Sequence, residues 1–175
     1  MKCLSVVAGT ALVCLFICSH AGAAEVMKKI TKDDLKIELH VMKAEPFYTK
    51  EEVAAKNAKS GMLIMGGAKP LGLEETPRPN HHLIIHVFDA KSGKAITDAD
   101  VSLSFQAPNA KGEPSGDMVD VPVVIMEAIG KGPQSTHYGN NVVMADGTYR
   151  VLITVNGKKV DSRITLRNAP SKMKM

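Results

Sequence analysis

The chain has 175 residues, 45% apolar and only 4% aromatic, with a formal net charge of +4. That length supports one domain with a single core, and the mild charge argues against a nucleic-acid binder, which would carry a concentrated basic face. The three cysteines, Cys3, Cys14 and Cys18, all lie close to the start, so the rest of the chain has neither a disulfide framework nor a thiolate metal site.

Residues 1–23 read as a secretory signal. Lys2 supplies the positive start, Leu4 to Ile17 is an apolar stretch too short for a membrane span, and Ala21-Gly22-Ala23 gives the small residues a signal peptidase needs. Leu15-Phe16-Ile17 before Cys18 does not form a lipid-attachment box, so a soluble periplasmic protein is expected. Removing residues 1–23 leaves 152 residues and a net charge of +3, because Lys2 is the one charged residue removed.

Residues 24–79 are expected to join the main body through a strand, a short helix and an irregular segment. Leu35, Ile37, Leu39 and Val41 alternate with Lys36, Glu38, His40 and Met42, which predicts a half-buried strand. Thr49-Lys50-Glu51-Glu52 has the capping-box pattern and predicts a helix to about Lys59, with Gly61 beyond its end. Met62 to Met65 is a brief apolar run closed by Gly66-Gly67, and Pro70, Pro77 and Pro79 make the next stretch irregular.

Residues 80–168 read as a β-sandwich core. Strands are expected at His82 to Phe88, Val101 to Phe105 and Val119 to Met126, with Pro122 marking an edge or a bulge. Residues 107–117 and Gly130 to Thr136 read as loops, and Val142 to Met144 as a short strand. Thr148 to Val155 and Lys159 to Leu166 flank Asn156-Gly157, a strong hairpin signal. Tyr149 after Asp146-Gly147-Thr148 resembles a tyrosine corner. Some seven short strands predict an all-β antiparallel sandwich with one short helix, and residues 169–175 a solvated tail.

With no usable cysteine, imidazole and thioether are the donors left for a soft metal. His82, Ile84 and His86 share one strand face. The two histidines are set wide for one ion unless the strand bends or another element comes between them. His137 stands where a loop meets a strand, and Met126 ends the strand before that loop. Imidazoles with a methionine sulfur suit copper. Neutral imidazole is required, so affinity is expected to fall below about pH 6.5. No serine elbow, phosphate loop, dinucleotide fingerprint or paired carboxylates point to an enzyme.

The segment Met126-Glu127-Ala128-Ile129-Gly130-Lys131-Gly132-Pro133, then His137-Tyr138-Gly139-Asn140-Asn141-Val142-Val143-Met144, then Gly147-Thr148-Tyr149-Arg150-Val151 resembles the bacterial periplasmic iron-transport accessory proteins. His82-Leu83-Ile84-Ile85-His86 partly echoes their earlier histidine strand. The resemblance implies an immunoglobulin-like sandwich, often dimeric, that binds copper or iron beside a ferrous-iron permease, with Met126, His137 and one or both of His82 and His86 as ligands. The chain departs from that pattern in three places. Gln134-Ser135-Thr136 split Gly-Pro from His-Tyr-Gly, Ile84 and Ile85 replace acidic residues, and no histidine follows His137. The site would then bind weakly, draw on His40 or Met42, or be lost.

The expected function is a periplasmic binding protein, without turnover, that carries copper or iron to an inner-membrane transporter or assembly factor. The alternative is a sandwich module that docks a partner protein through an exposed edge strand, its histidines incidental.

Overall fold

The computed structural model describes residues 26–167. The expected signal segment before them and the expected C-terminal tail after them lie outside the described residues. Among the described residues eleven strands form a sandwich of two sheets, with one short α-helix. The strands are β1 (Val26–Lys32), β2 (Leu35–Lys43), β3 (Phe47–Tyr48), β4 (Met62–Gly67), β5 (His81–Asp89), β6 (Val101–Pro108), β7 (Pro114–Val121), β8 (Val124–Ala128), β9 (His137–Val142), β10 (Gly147–Val155) and β11 (Lys158–Leu166). The larger sheet has the order β1-β2-β5-β9-β8-β4-β3 and the smaller β11-β10-β6-β7. Every pairing is antiparallel except β3 with β4. The expected all-β sandwich with one short helix is therefore the observed architecture.

The core lies between the sheets. Alternation fixes which side chains enter it, because successive residues of a strand point to opposite faces. Leu35, Ile37, Leu39 and Val41 of β2 join Leu83, Ile85 and Val87 of β5 there, against Leu103, Val151, Ile153 and Ile164 of the smaller sheet. Tyr149 is buried and its hydroxyl donates to Ala145 O and accepts from Ala145 N, the local bonding of a tyrosine corner. Asn156 and Gly157 both take positive φ at the β10–β11 hairpin, as the Asn-Gly signal requires.

Several boundaries differ from the sequence reading. The stretch from Val119 to Met126 is two strands, not one. β7 belongs to the smaller sheet and β8 to the larger, and Pro122, which cannot donate to a ladder, stands where the chain crosses between them. β7 begins at Pro114, inside the expected loop. The short strand expected at 142–144 is instead β9, running from His137 to Val142. The capping box forms as read, with Glu52 N donating to Thr49 Oγ1 and Thr49 N to the Glu52 carboxylate. The helix α1 (Lys50–Lys56) ends sooner than expected, at Asn57 in the left-handed conformation. β1 carried no strand signal, since Met27, Lys28 and Lys29 are exposed and the packing of Ile30 on the core is too little for alternation to show. Residues 26–67 contribute four strands of the larger sheet.

Candidate functional site

The outer face of the larger sheet, turned away from the core, carries the candidate ligands. On β5 that face holds His82, Ile84 and His86. Antiparallel partners project to the same side, so register places Met42 beside His82 and Glu38 beside His86 on β2, and Asn141 beside His82 on β9. Met126 of β8 is the direct partner of His137 on β9, with Cβ atoms about 4.5–5.5 Å apart at such a position. All four residues proposed from sequence, His82, His86, Met126 and His137, therefore share one face of one sheet.

His82 and His86 do not meet directly. Four residues of extended strand set their Cα atoms about 13 Å apart. His137, from the neighbouring strand, lies between them. Its ring centroid is 5.6 Å from that of His82 and 5.3 Å from that of His86. His40 extends the row, 5.5 Å from His86. Gly139 permits the close β5–β9 approach, since at φ +152 a Cβ would collide with the Leu83 carbonyl.

Each imidazole is oriented through Nδ1. His137 Nδ1 donates to Ser135 O at 2.8 Å, His86 Nδ1 to Thr136 O at 3.1 Å, and His82 Nδ1 to Asn141 Oδ1 at 3.0 Å. Carbonyls only accept, so these bonds assign the proton to Nδ1 in each ring. Asn141 cannot turn its nitrogen toward His82, because that nitrogen donates to Glu45 O at 2.8 Å and Leu71 O at 2.9 Å. A neutral ring has one proton, so Nε2 of His82 and Nε2 of His137 both present lone pairs, and they face each other at 3.5 Å.

Two facing lone pairs call for a cation between them. A shared proton is disfavoured: burial, with the neighbouring His137 adding to it, lowers the His82 pKa to about 3, and burial lowers that of His137 to about 4. Burial lowers the pKa of His86 as well. With these shifts both facing rings stay neutral well below pH 6.5, so the loss of affinity expected there from ordinary imidazoles is displaced to lower pH. A metal ion accepts both lone pairs without protonation. Two metal–nitrogen bonds of about 2.0–2.1 Å meeting near the tetrahedral angle span about 3.3–3.4 Å, close to the observed separation. Among the described residues no three His, Cys, Asp or Glu side chains form a group that could hold an ion. The arrangement thus offers two imidazoles and the wholly buried thioether of Met126, with His86 behind His137.

The segment between β2 and β5 covers this part of the face. Phe47 sets its edge against His82 at 5.6 Å, and Met62, Phe47 and Ile64 pack with Met126 and Val124. Two fully buried asparagines fasten the cover. Asn140 Oδ1 accepts from Leu71 N and its amide donates to Lys69 O and Pro122 O. Asn141 Oδ1 also accepts from Glu45 N. Sequence reasoning quoted these asparagines within the motif but gave them no role. Two adjacent polar residues inside a strand with no exposed position were the available signal.

No family model matches the chain, and no curated protein matches it. Among solved structures it is similar to FetP of uropathogenic E. coli strain F11, expressed recombinantly in the periplasm of E. coli. The TM-score is 0.51 at 15% identity, covering 83% of this chain and 96% of that chain. That likeness concerns the fold. Among the described residues no helix is long and apolar enough to cross a membrane.

Proposed function

We propose that this protein is an exported binding protein for a soft transition-metal ion, cuprous copper ahead of iron, held by His82, His137 and Met126 and passed on to an inner-membrane transporter or assembly factor. The observation that carries the reading is the buried pair of facing Nε2 atoms, each ring's other nitrogen already committed to an oxygen. Metal-ligating histidines are oriented in this way by a second hydrogen bond. A thioether beside two imidazoles favours cuprous ion over harder ions. The resemblance of residues 126–151 to periplasmic iron-transport accessory proteins supports the same ligand set, and the shared fold with a protein expressed in the periplasm accords with an exported protein. Binding and release suffice, and no turnover is proposed.

The test is a cuprous titration of the protein purified without an affinity tag, against a chromophoric chelator, with ferrous ion in parallel. One tightly held copper per chain, lost in His137→Ala and weakened in Met126→Leu, is the expected result. Equal affinity in wild type and His137→Ala would remove the assignment, and no uptake at all would favour the partner-docking alternative.

A further inference from the structure

The outer face is covered over β5, β9 and β8, and along β2 the His40 and Glu38 side chains are only 11% and 14% exposed, but its β1–β2 half opens at the two methionines on either side of His40. In that open half stand two methionines among the few large apolar side chains exposed among the described residues, Met27 at 50% and Met42 at 36%. Their places are set by register. Met27 of β1 is the direct partner of His40 on β2, and Met42 lies two residues from His40 on the same face. Direct partners lie about 4.5–5.5 Å apart at Cβ, and diagonal neighbours about 7–8 Å, within reach of long side chains. Two thioethers and an imidazole therefore share one patch. The patch is continuous with the buried pair by two routes. Met42 is the direct partner of His82, and His40 leads through His86 at 5.5 Å to His137 at 5.3 Å. Glu38, whose carboxylate lies 3.6 Å from His40 Nε2, borders the patch on the side away from Met42.

Isolated exposed apolar residues need no explanation. Two unbranched sulfur donors flanking a histidine, one of them paired with a buried candidate ligand, form a chemically specific set in a chain whose only cysteines lie at the start. Soft thioether donors select cuprous ion. We infer that Met27, His40 and Met42 form an outer loading site for a soft monovalent cation, one strand from the buried pair. The ion is captured from solvent there and moves inward to His82 and His137. This rests on the reading of the inner site.

The two sites separate in one experiment. Silver ion, a redox-silent stand-in for cuprous ion, is titrated into the untagged protein and followed by native mass spectrometry. The expected result is two ions on wild type, one on the Met27→Leu/Met42→Leu double variant and one on His137→Ala. Exposed Met→Leu changes leave the core untouched, so the double variant reports on ligands and not on folding. Two ions on the double variant would overturn the outer site. A single ion on wild type, unaffected in the double variant and lost in His137→Ala, would overturn it while leaving the inner site intact. No ion on wild type would sink both readings. As a second readout, silver should protect Met27 and Met42 from peroxide oxidation several-fold relative to exposed Met65.

Discussion

The two faces of β5 carry the same strand into opposite environments. Leu83, Ile85 and Val87 enter the inter-sheet core, where the neighbours are mostly apolar. His82, Ile84 and His86 enter a second buried layer, where the neighbours are imidazoles, a thioether and amides. The first face is stabilised by removal of apolar area from water, and any residue of suitable volume serves it. The second requires each polar atom to find its partner, because an unpaired buried group costs as much as a good contact gains. A face built that way is specific before it is stable, which is how a site differs from a core.

Shortening the core face should produce the largest effect. Ile85→Ala removes a wholly buried side chain and should cost about 2–5 kcal/mol in urea unfolding. A loss below about 1 kcal/mol would mean that the inter-sheet layer is not the principal core.

Between pH 6.5 and 4.5 acid should act chiefly on the histidine face. In the unfolded chain imidazole takes up its proton near pH 6.5. In the folded chain burial holds His137 and His82 neutral to about 4 and about 3. Below pH 6.5 the unfolded state therefore binds more protons, so stability falls as pH falls, by up to about 1.4 kcal/mol per unit for each ring, until His137 protonates. Urea midpoints at pH 7.5, 6.5, 5.5 and 4.5 should decline across the last three, and the decline should weaken in His82→Gln. Bound metal should be kept at pH 5 as at 7.5 and shed near 4 and below. Release midway between pH 7 and 6 would show that the ligands are more exposed than His82 and His137.

The core face was legible in the sequence and the histidine face only in part, for a physical reason. Alternation at Leu35 to Val41 reports burial directly, because transfer from water depends on the residue and not on its partner. His82, His86, Met126 and His137 could be named from chemistry and from the parity of strand positions. Which of them face one another depends on register between strands far apart in the chain, and no local pattern encodes it. Nor could the sequence show that Asn141 turns the His82 ring, since that follows from a bond to a residue 59 positions away. β1 escaped because an edge strand gains little from burial, and the β7–β8 crossing at Pro122 escaped because an apolar run reads alike in one sheet or two.

The asparagine clasp ties the cover to the histidine face, and a smaller loss should follow from cutting it. Asn141→Ala strands the Glu45 and Leu71 carbonyls and the His82 Nδ1 proton. The cost should be about 1–3 kcal/mol. Because the ring is no longer held, cuprous affinity should fall with it. Asn141→Asp keeps the acceptor for His82 but loses the donors to the cover. If it restores affinity without restoring stability, orientation and cover are separate roles. If neither variant shifts affinity, the Nδ1 bond does not orient the ligand.

The smallest effect is expected at the outer margin of the cover. Thr49 caps α1 through the reciprocal bonds with Glu52, and the helix buries none of its residues. Loss of such a cap costs about 1 kcal/mol where the helix is coupled to the fold. Here the helix has seven residues, too few to stand alone in water. Thr49→Ala should therefore speed amide exchange across residues 50–56 while leaving the urea midpoint nearly unchanged. Phe47 contacts His82 from β3, before the cap, so metal affinity should be unaffected. If affinity falls instead, α1 braces Phe47 and the cover acts as one unit.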